Sequence, residues 1–98
     1  MNSGDFSIGG KVWPGTSKLI EEMGELCQVL GKLIGSHGEV EHYDGSNLRE
    51  RLVEEVSDLK AAIAFFEEMN LDVDYEVAIA KRFAAKLQKF REWHKEGK

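Results

Sequence analysis

The sequence has one cysteine, one proline and no long apolar run. A single cysteine, Cys27, excludes an intrachain disulfide framework and is typical of a reducing compartment. No segment approaches the roughly 20 apolar residues that a membrane-spanning helix needs. The first residues also lack the charged start and apolar middle of a signal peptide. We therefore expect a cytoplasmic protein without a membrane partner.

Positive charge is also scarce, since 18 acidic residues outnumber 13 basic ones and the net charge is −5. No basic run outweighs the acids, so a nucleic-acid backbone is not expected as the main partner. The 98 residues are enough for one domain, 1–98, and self-association would help so small a chain to bury a core.

No alternating β-branched run occurs, so the sequence predicts an all-α bundle of about three main helices per chain, completed by homodimerisation. Residues 1–15 are glycine-rich and predict an extended arm that ends in a turn. Thr16 or Ser17 can cap the first helix, which Gly35 ends. Residues 35–47 contain three glycines and no periodicity, which predicts a loop.

Capping signals also place the second and third helices. Asn47 and Glu50 resemble a capping box at the start of the second helix, which runs to about Asn70. Residues 71–74 form a short connection in which Asp74 is the expected cap. The third helix then continues to near Lys95.

Two carboxylates interrupt the apolar stripe of the first helix. At about 100° per residue the stripe contains Leu19, Met23, Leu26, Leu30 and Leu33. Ile20, Cys27 and Ile34 lie beside it, and Cys27 is expected on the buried side of the helix. Glu22 falls inside this stripe and Glu25 lies on its edge. On the second helix Glu55 lies between Leu52 and Leu59, and Asp58 lies on the border of the stripe.

These four acids predict a metal site, because a buried and unpaired carboxylate is expensive. Residues three apart share one face of a helix, and antiparallel packing would bring both pairs together. Ligation by oxygen alone suits Mg²⁺ or Mn²⁺. The competing interpretation is chance spacing on solvated faces, which we expect for Glu67 and Glu68. Glu21 points away from the stripe and is expected to be a supporting or surface group.

The third helix has the opposite anomaly, because Arg82 and Lys86 lie on or beside its apolar face and Lys89 is close by. Such cations suit triphosphate oxygens. The alternatives are long side chains that snorkel from the flank of a helix, or salt bridges to the same acids.

Other candidates are aromatic or lie in the loop. Trp13 could stack on a nucleobase, but packing is the favoured interpretation for an aromatic residue in an arm. Four loop residues could contact a substrate, although a surface role is favoured for them: His37, His42, Tyr43 and Asp44.

The acidic motifs resemble those of the MazG-like all-α nucleoside triphosphate pyrophosphohydrolases. The EExxE signature of this family matches Glu21-Glu22-Met23-Gly24-Glu25, and its ExxD signature matches Glu55-Val56-Ser57-Asp58. The likeness covers roughly residues 16–90. It implies that Mg²⁺ is held by the four acids Glu22, Glu25, Glu55 and Asp58. It also implies a homodimer or homotetramer in which helices of two subunits enclose each site.

The family often has a lysine, an asparagine and an arginine on the helix after ExxD, and the best match here is Arg82, Lys86 and Lys89. The WPGTSK segment is similar to phage-borne members of the family, some of which prefer dGTP or other purine nucleotides. The loop 35–47 makes the spacing between the two motifs rather long.

The function expected from the acids and the resemblance is Mg²⁺-dependent hydrolysis of an NTP or dNTP to a monophosphate and pyrophosphate, in sanitation or remodelling of a nucleotide pool. The catalytic candidates are Glu21 and Glu22. The substrate-binding candidates are Arg82, Lys86, Lys89, Trp13 and Lys18.

Three alternatives remain open. A redox di-metal bundle is disfavoured because neither motif contains histidine. A non-catalytic helical dimerisation or metal-binding module would use the acids only structurally. An enzyme like phosphoribosyl-ATP pyrophosphohydrolase belongs to the same reaction class.

Overall fold

The computed structural model describes residues 3–41, 45 and 47–98, and its regular secondary structure is entirely helical. A 3-10 helix covers Ser3–Phe6. Three long helices follow, α1 (Thr16–Gly35), α2 (Leu48–Asn70) and α3 (Val73–Glu96). This confirms the all-α class and the three main helices. Within the described ranges, no helix has the length and apolarity that a membrane crossing requires.

The N-terminal arm is folded, so the expectation of an extended arm is wrong. The Val12 amide donates to the Asp5 carbonyl oxygen at 3.0 Å, and the Gly15 amide donates to that of Ser7 at 2.9 Å. The Ser17 hydroxyl donates to the Phe6 carbonyl oxygen at 2.9 Å. These bonds tie the arm to the start of α1.

The predicted caps of α1 are also wrong, because Gly15 occupies the cap position in the left-handed region, with φ 92°. Thr16 instead donates its hydroxyl to the Trp13 carbonyl oxygen at 2.7 Å. Glycine suits this position because its backbone adopts positive φ without a steric cost. The predicted end of α1 at Gly35 is confirmed.

Each of the other two helices is capped at its N-terminus by a side chain that accepts a hydrogen bond from a backbone amide. The Asn47 side chain accepts a hydrogen bond from the Glu50 amide at 3.1 Å, which confirms the predicted cap of α2. At α3 the cap is Asp72, which accepts from the Tyr75 amide at 3.1 Å, so the expectation for Asp74 is wrong. Asp74 lies in the first turn instead, where its charge suits the positive end of the helix dipole.

The helices α1 and α2 pack antiparallel. At one end, the Asn70 side-chain amide donates to the Pro14 carbonyl oxygen at 2.9 Å. Further along, the carboxylates of Glu25 and Glu55 approach each other. Residue numbers in contact therefore rise on α1 while they fall on α2, as expected. Three apolar residues in the described part of the chain are buried: Val29, Leu48 and Ala62.

The buried side of α1 differs from the predicted stripe. Val29 is fully buried, whereas Met23 and Leu30 are 46% and 43% exposed. Cys27 is exposed as well, so the expectation that it lies on the buried side is wrong. Periodicity alone could not choose between two apolar faces of the same helix, and the packing of α2 against Val29 leaves the other face open.

The third helix lies beside the second half of α2 and is otherwise open to solvent. A groove between them is lined by Lys60, Ile63 and Glu67 of α2 and by Glu76 and Ile79 of α3, among others. The radius of gyration is 16.7 Å, against about 13 Å for a compact domain of 100 residues. The single chain is therefore an open arrangement of helices.

Candidate functional site

Three of the four predicted metal-binding carboxylates come together between α1 and α2. Glu22, Glu25 and Glu55 each offer a carboxylate oxygen, and these oxygens all lie within 4.8 Å of one another. All three side chains are partly buried. Positions 22 and 25 share one face of α1, and antiparallel packing places Glu55 opposite them.

Two oxygens in this cluster are buried, and no described residue donates a hydrogen bond to them. They are Oε2 of Glu22 and Oε2 of Glu55. Glu25 lies in the same cluster, but two ionised carboxylates cannot form a hydrogen bond with each other, because each only accepts. A hydrogen bond to Glu25 therefore requires that one of the two carboxyl groups keeps its proton. If none does, a cation must compensate the negative charge of the cluster.

The electrostatics of the cluster agree with this requirement. Desolvation by burial, and then the charges of Glu25 and Asp58, raise the pKa of the Glu22 carboxyl above its ordinary value. Desolvation, with the hydrogen bond and charge of Glu25, raises the pKa of Glu55 in the same direction. Arg51, one turn before Glu55, acts oppositely on that pKa and does not reverse the shift.

The fourth predicted ligand, Asp58, is exposed and lies outside the group of three. It lines a neighbouring pocket of about 420 Å³ together with Glu22. Its charge contributes to the raised pKa of both Glu22 and Glu55. The four predicted metal ligands therefore occupy two adjacent places. Glu25 and Glu55 lie in the cluster, Asp58 lines the pocket, and Glu22 belongs to both.

The pocket has one acidic side and one apolar side. Apart from Glu22 and Asp58, its lining consists of Ile8, Lys18, Ala61, Ala62 and Phe65. The two alanines leave open volume beside the acids, while Ile8 and Phe65 supply an apolar wall. Such a combination of an apolar wall and a few polar groups is typical of small-molecule sites.

Four residues of this lining escaped the sequence analysis. Ala61 and Ala62 lie three and four residues after Asp58, so two small residues on the acidic face of α2 were a usable signal. Ile8 could not be found in this way, because it reaches the pocket only through the folding of the arm.

Lys18 is the predicted substrate-binding cation that the fold brings to the carboxylates. Its ammonium group lies 3.1 Å from Oε2 of Glu21 and lines the same pocket as Glu22 and Asp58. The hydrogen bond to Glu21, followed by the charge of Glu21, raises the pKa of Lys18. Glu21 is exposed, in keeping with its expected supporting or surface position.

The cations of α3 lie elsewhere in the single chain. Arg82 and Lys86 line a groove of about 400 Å³ with aromatic and aliphatic residues of their own helix. The Lys86 ammonium group lies 5.8 Å from the ring centroids of both Phe90 and Trp93. Lys89 lines an adjoining groove on the outer side of α3. The pocket beside Glu22 is lined by none of these three cations.

Trp13 packs against α2. Its ring stacks on Phe66 with centroids 6.1 Å apart and an interplanar angle of 14°, which is the packing role that the sequence favoured. Its backbone is left-handed, with φ 43°. In the loop, His37 is exposed, while His42, Tyr43 and Asp44 lie outside the described residues.

A second acid pair joins α2 to α3. Desolvation by burial, and then the charge of Glu76, raise the pKa of the Glu67 carboxyl. Glu67 is partly buried, so the expectation of a solvated surface position is wrong for this residue. It lines the α2–α3 groove and not the pocket beside Glu22.

The three clustered carboxylates fit a hard divalent cation, because they present only oxygen ligands and leave two buried oxygens without donors. Comparisons with protein-family models, curated proteins and solved structures give no significant match for the chain.

Proposed function

We propose that the chain is a Mg²⁺-dependent nucleoside triphosphate pyrophosphohydrolase that converts an NTP or dNTP to a monophosphate and pyrophosphate. One observation supports this above the others: in the cluster of three carboxylates, the Oε2 atoms of Glu22 and Glu55 are buried and accept no hydrogen bond from any residue that the structure describes. The resemblance of the EExxE and ExxD motifs to the MazG-like family supplies the reaction class.

Glu22, Glu25 and Glu55 would hold the cation, and Asp58 would complete the set from the pocket side. Mn²⁺ is an alternative to Mg²⁺, since both take carboxylate oxygens. A cation held there would supply positive charge to offset the negative charge that develops on the phosphates in the transition state.

The remaining steps belong to the chain's own residues. Glu22 lies at the junction of cluster and pocket, so its carboxylate orients or deprotonates the water that attacks the α-phosphorus, with Glu21 as the alternative base. Lys18 contacts phosphate oxygens at the edge of the pocket. Ile8 and Phe65 provide an apolar surface for the base. A purine preference, including dGTP, follows from the phage-type resemblance.

The working unit in this proposal is a homodimer or homotetramer. Arg82, Lys86 and Lys89 are all exposed and lie on an open helix, so contact with the β- and γ-phosphates would come from a neighbouring subunit. Trp13 would support the pocket through Phe66 rather than contact the substrate directly.

A panel of ribo- and deoxyribonucleoside triphosphates, assayed with Mg²⁺, with Mn²⁺ and with neither, tests the proposal. We expect pyrophosphate and not orthophosphate as the product. Glu55→Gln is expected to lower kcat/KM by at least about 100-fold, since even supporting residues of metal sites are worth 10- to 100-fold. Glu54→Gln, an exposed neighbour on α2, is the matched control.

A folded protein that releases pyrophosphate from no nucleotide of the panel would refute the enzymatic proposal. If Mg²⁺ still raised the melting temperature of that protein, the acids would be assigned to a non-catalytic metal-binding module instead.

A further inference from the structure

The side of α1 that faces away from α2 is apolar and open to solvent. We define the outer face of α1 by Ile20, Met23, Cys27, Leu30 and Ile34. Ile20 is 61% exposed and Ile34 is 78% exposed, and the other three are exposed as well. The spacing of these residues is that of the a and d positions of a coiled coil, so they form a continuous stripe on one side of the helix.

Two glycines border this stripe and leave room for a close neighbour. A Cβ atom built at Gly24 or Gly31 would meet nothing within 4 Å among residues 3–41, 45 and 47–98. Glycine inside a helix costs stability. Neither position has positive φ, so the backbone does not require glycine there. Small residues beside an apolar stripe let a second helix approach closely.

The chain exposes more surface than a folded monomer of its mass. Its solvent-accessible area is 7622 Å², whereas a monomer of 11.1 kDa typically exposes about 5,700 Å². The excess of about 1,900 Å² exceeds the roughly 800 Å² that each partner buries in a standard interface. A substantial part of this surface is therefore available for association.

We propose that the outer face of α1 binds the same face of a second copy of this chain, with the two helices antiparallel. A two-fold axis at Cys27, the midpoint of the stripe, places Ile20 level with Ile34 of the second copy. It also brings Met23 beside Leu30 of that copy, and Gly24 beside its Gly31. The stripe is thus complementary to itself.

The two glycines favour the antiparallel orientation. At about 100° per residue, Gly24 and Gly31 flank one side of the stripe, whereas leucines flank the other: Leu19, Leu26 and Leu33. Antiparallel packing about the two-fold axis places the glycine side of one copy against the glycine side of the other. Parallel packing would place the glycines of one copy against the leucines of the other instead.

This inference specifies the surface for the self-association that forms part of the proposed function. Its test requires neither nucleotide nor metal, so the two can fail separately. Cys27 is the only cysteine. Helix axes 8–10 Å apart leave roughly 3.4–5.4 Å between Cα atoms that face each other on the two-fold axis. The upper part of this range overlaps the roughly 4.4–6.8 Å between the Cα atoms of a disulfide.

The experiment is oxidation of the full chain with copper phenanthroline, followed by a non-reducing gel and sedimentation equilibrium of the reduced protein. We expect fast and nearly complete dimer cross-linking through Cys27. Ile34→Glu is expected to weaken association at least about 100-fold and to slow the cross-link in proportion. Val53→Glu on α2, where Val53 is 63% exposed, is the matched control and should change neither.

Two further sets of variants test the register and the close approach. In a Cys27→Ser background, a mixture of Ile20→Cys and Ile34→Cys chains should cross-link, whereas Ile20→Cys alone should not. Gly24→Leu should weaken association about tenfold or more while helicity is kept. Any of three results would overturn the proposal. They are absence of the Cys27 cross-link, efficient cross-linking of Ile20→Cys alone, and a loss of association in Val53→Glu equal to that in Ile34→Glu.

Discussion

Glu22 of α1 and Glu55 of α2 each bury an Oε2 atom in the same carboxylate cluster, and neither atom has a hydrogen-bond donor among the described residues. One acid from each helix thus contributes an uncompensated acceptor to the interface between them. Folding alone does not favour this arrangement, because like charges repel across the contact that holds α1 to α2. A bound cation would convert this repulsion into attraction.

Removal of the Glu55 charge is predicted to stabilise the metal-free protein. In Glu55→Gln the amide supplies a donor for Glu22 or Glu25, so the melting temperature without metal should rise. Glu54→Gln, in contrast, should leave it unchanged. A decrease in Glu55→Gln would contradict the idea that the cluster is strained without a cation.

Mg²⁺ is predicted to stabilise the wild-type protein and not Glu55→Gln. At 100 times Kd, a ligand of the folded state stabilises by about 2.7 kcal/mol, which raises the melting temperature of a domain of this size on the order of 10 °C. Thermal unfolding with EDTA and with added Mg²⁺ measures both proteins. If Mg²⁺ raised the melting temperatures of the wild type and Glu55→Gln equally, Glu55 would not be a metal ligand.

The stability of the metal-free protein is predicted to fall as the pH rises. Glu22 and Glu55 have pKa values above the ordinary 4.5, so just above that pH the folded protein keeps protons that the unfolded chain has released. Their contribution is complete below the ordinary pKa and is lost as the pH rises through the raised values.

Thermal unfolding at several pH values between 4.5 and 7.5, in EDTA, measures this dependence. The decline should be shallower in Glu55→Gln. Mg²⁺ should add more stability near pH 7.5 than near pH 5, since protons compete with the cation for the same oxygens. An Mg²⁺ effect that is the same at both pH values would count against this model of the cluster.

Lys18→Met is predicted to raise KM for a triphosphate on the order of tenfold, because a charge-assisted hydrogen bond to phosphate is lost. Its salt bridge with Glu21 is exposed, so the melting temperature should stay the same. Steady-state kinetics and thermal unfolding separate the two effects. Lys60→Met removes a cation of α2 outside the pocket and serves as the control. A loss of stability without a change in KM would assign Lys18 a structural role.

Gly15→Ala is predicted to destabilise the fold by about 2–3 kcal/mol, because strain at positive φ combines with overpacking. Gly15 has φ 92°, and an added Cβ would lie 2.9 Å from Cδ1 of Phe65. Gly38→Ala is the matched control, since Gly38 has φ 86° with nothing within 4 Å of an added Cβ. It should cost about 1 kcal/mol, the backbone strain alone. Urea unfolding of both variants measures the difference, and equal costs would exclude a steric contribution from Phe65.

Local chemistry predicted the elements that depend on a few neighbouring residues. The Asn47 cap follows from short-range hydrogen bonding, and α1 and α2 end at Gly35 and Asn70, as the sequence predicted. The convergence of Glu22, Glu25 and Glu55 was also predictable. Two neighbouring helices pack through their apolar stripes, and antiparallel packing then brings together the acids that lie within those stripes.

Tertiary contacts decided the rest. The arm folds back through Asp5, Phe6 and Ser7, whose carbonyl oxygens accept bonds that no local pattern announces. On α1, two apolar faces compete for burial, and only the position of α2 leaves Cys27 exposed while Val29 is buried. Asp72, rather than Asp74, caps α3 because the connection after α2 is shorter than expected.

Only Val29, Leu48 and Ala62 are buried apolar residues in the described part of the chain. So few buried side chains contribute little to the free energy of unfolding of an isolated chain. Folding and association of the chains are therefore linked in one equilibrium. Dilution should then act as a denaturant: the midpoint of thermal unfolding should drop when the protein is studied at nanomolar rather than at micromolar concentration.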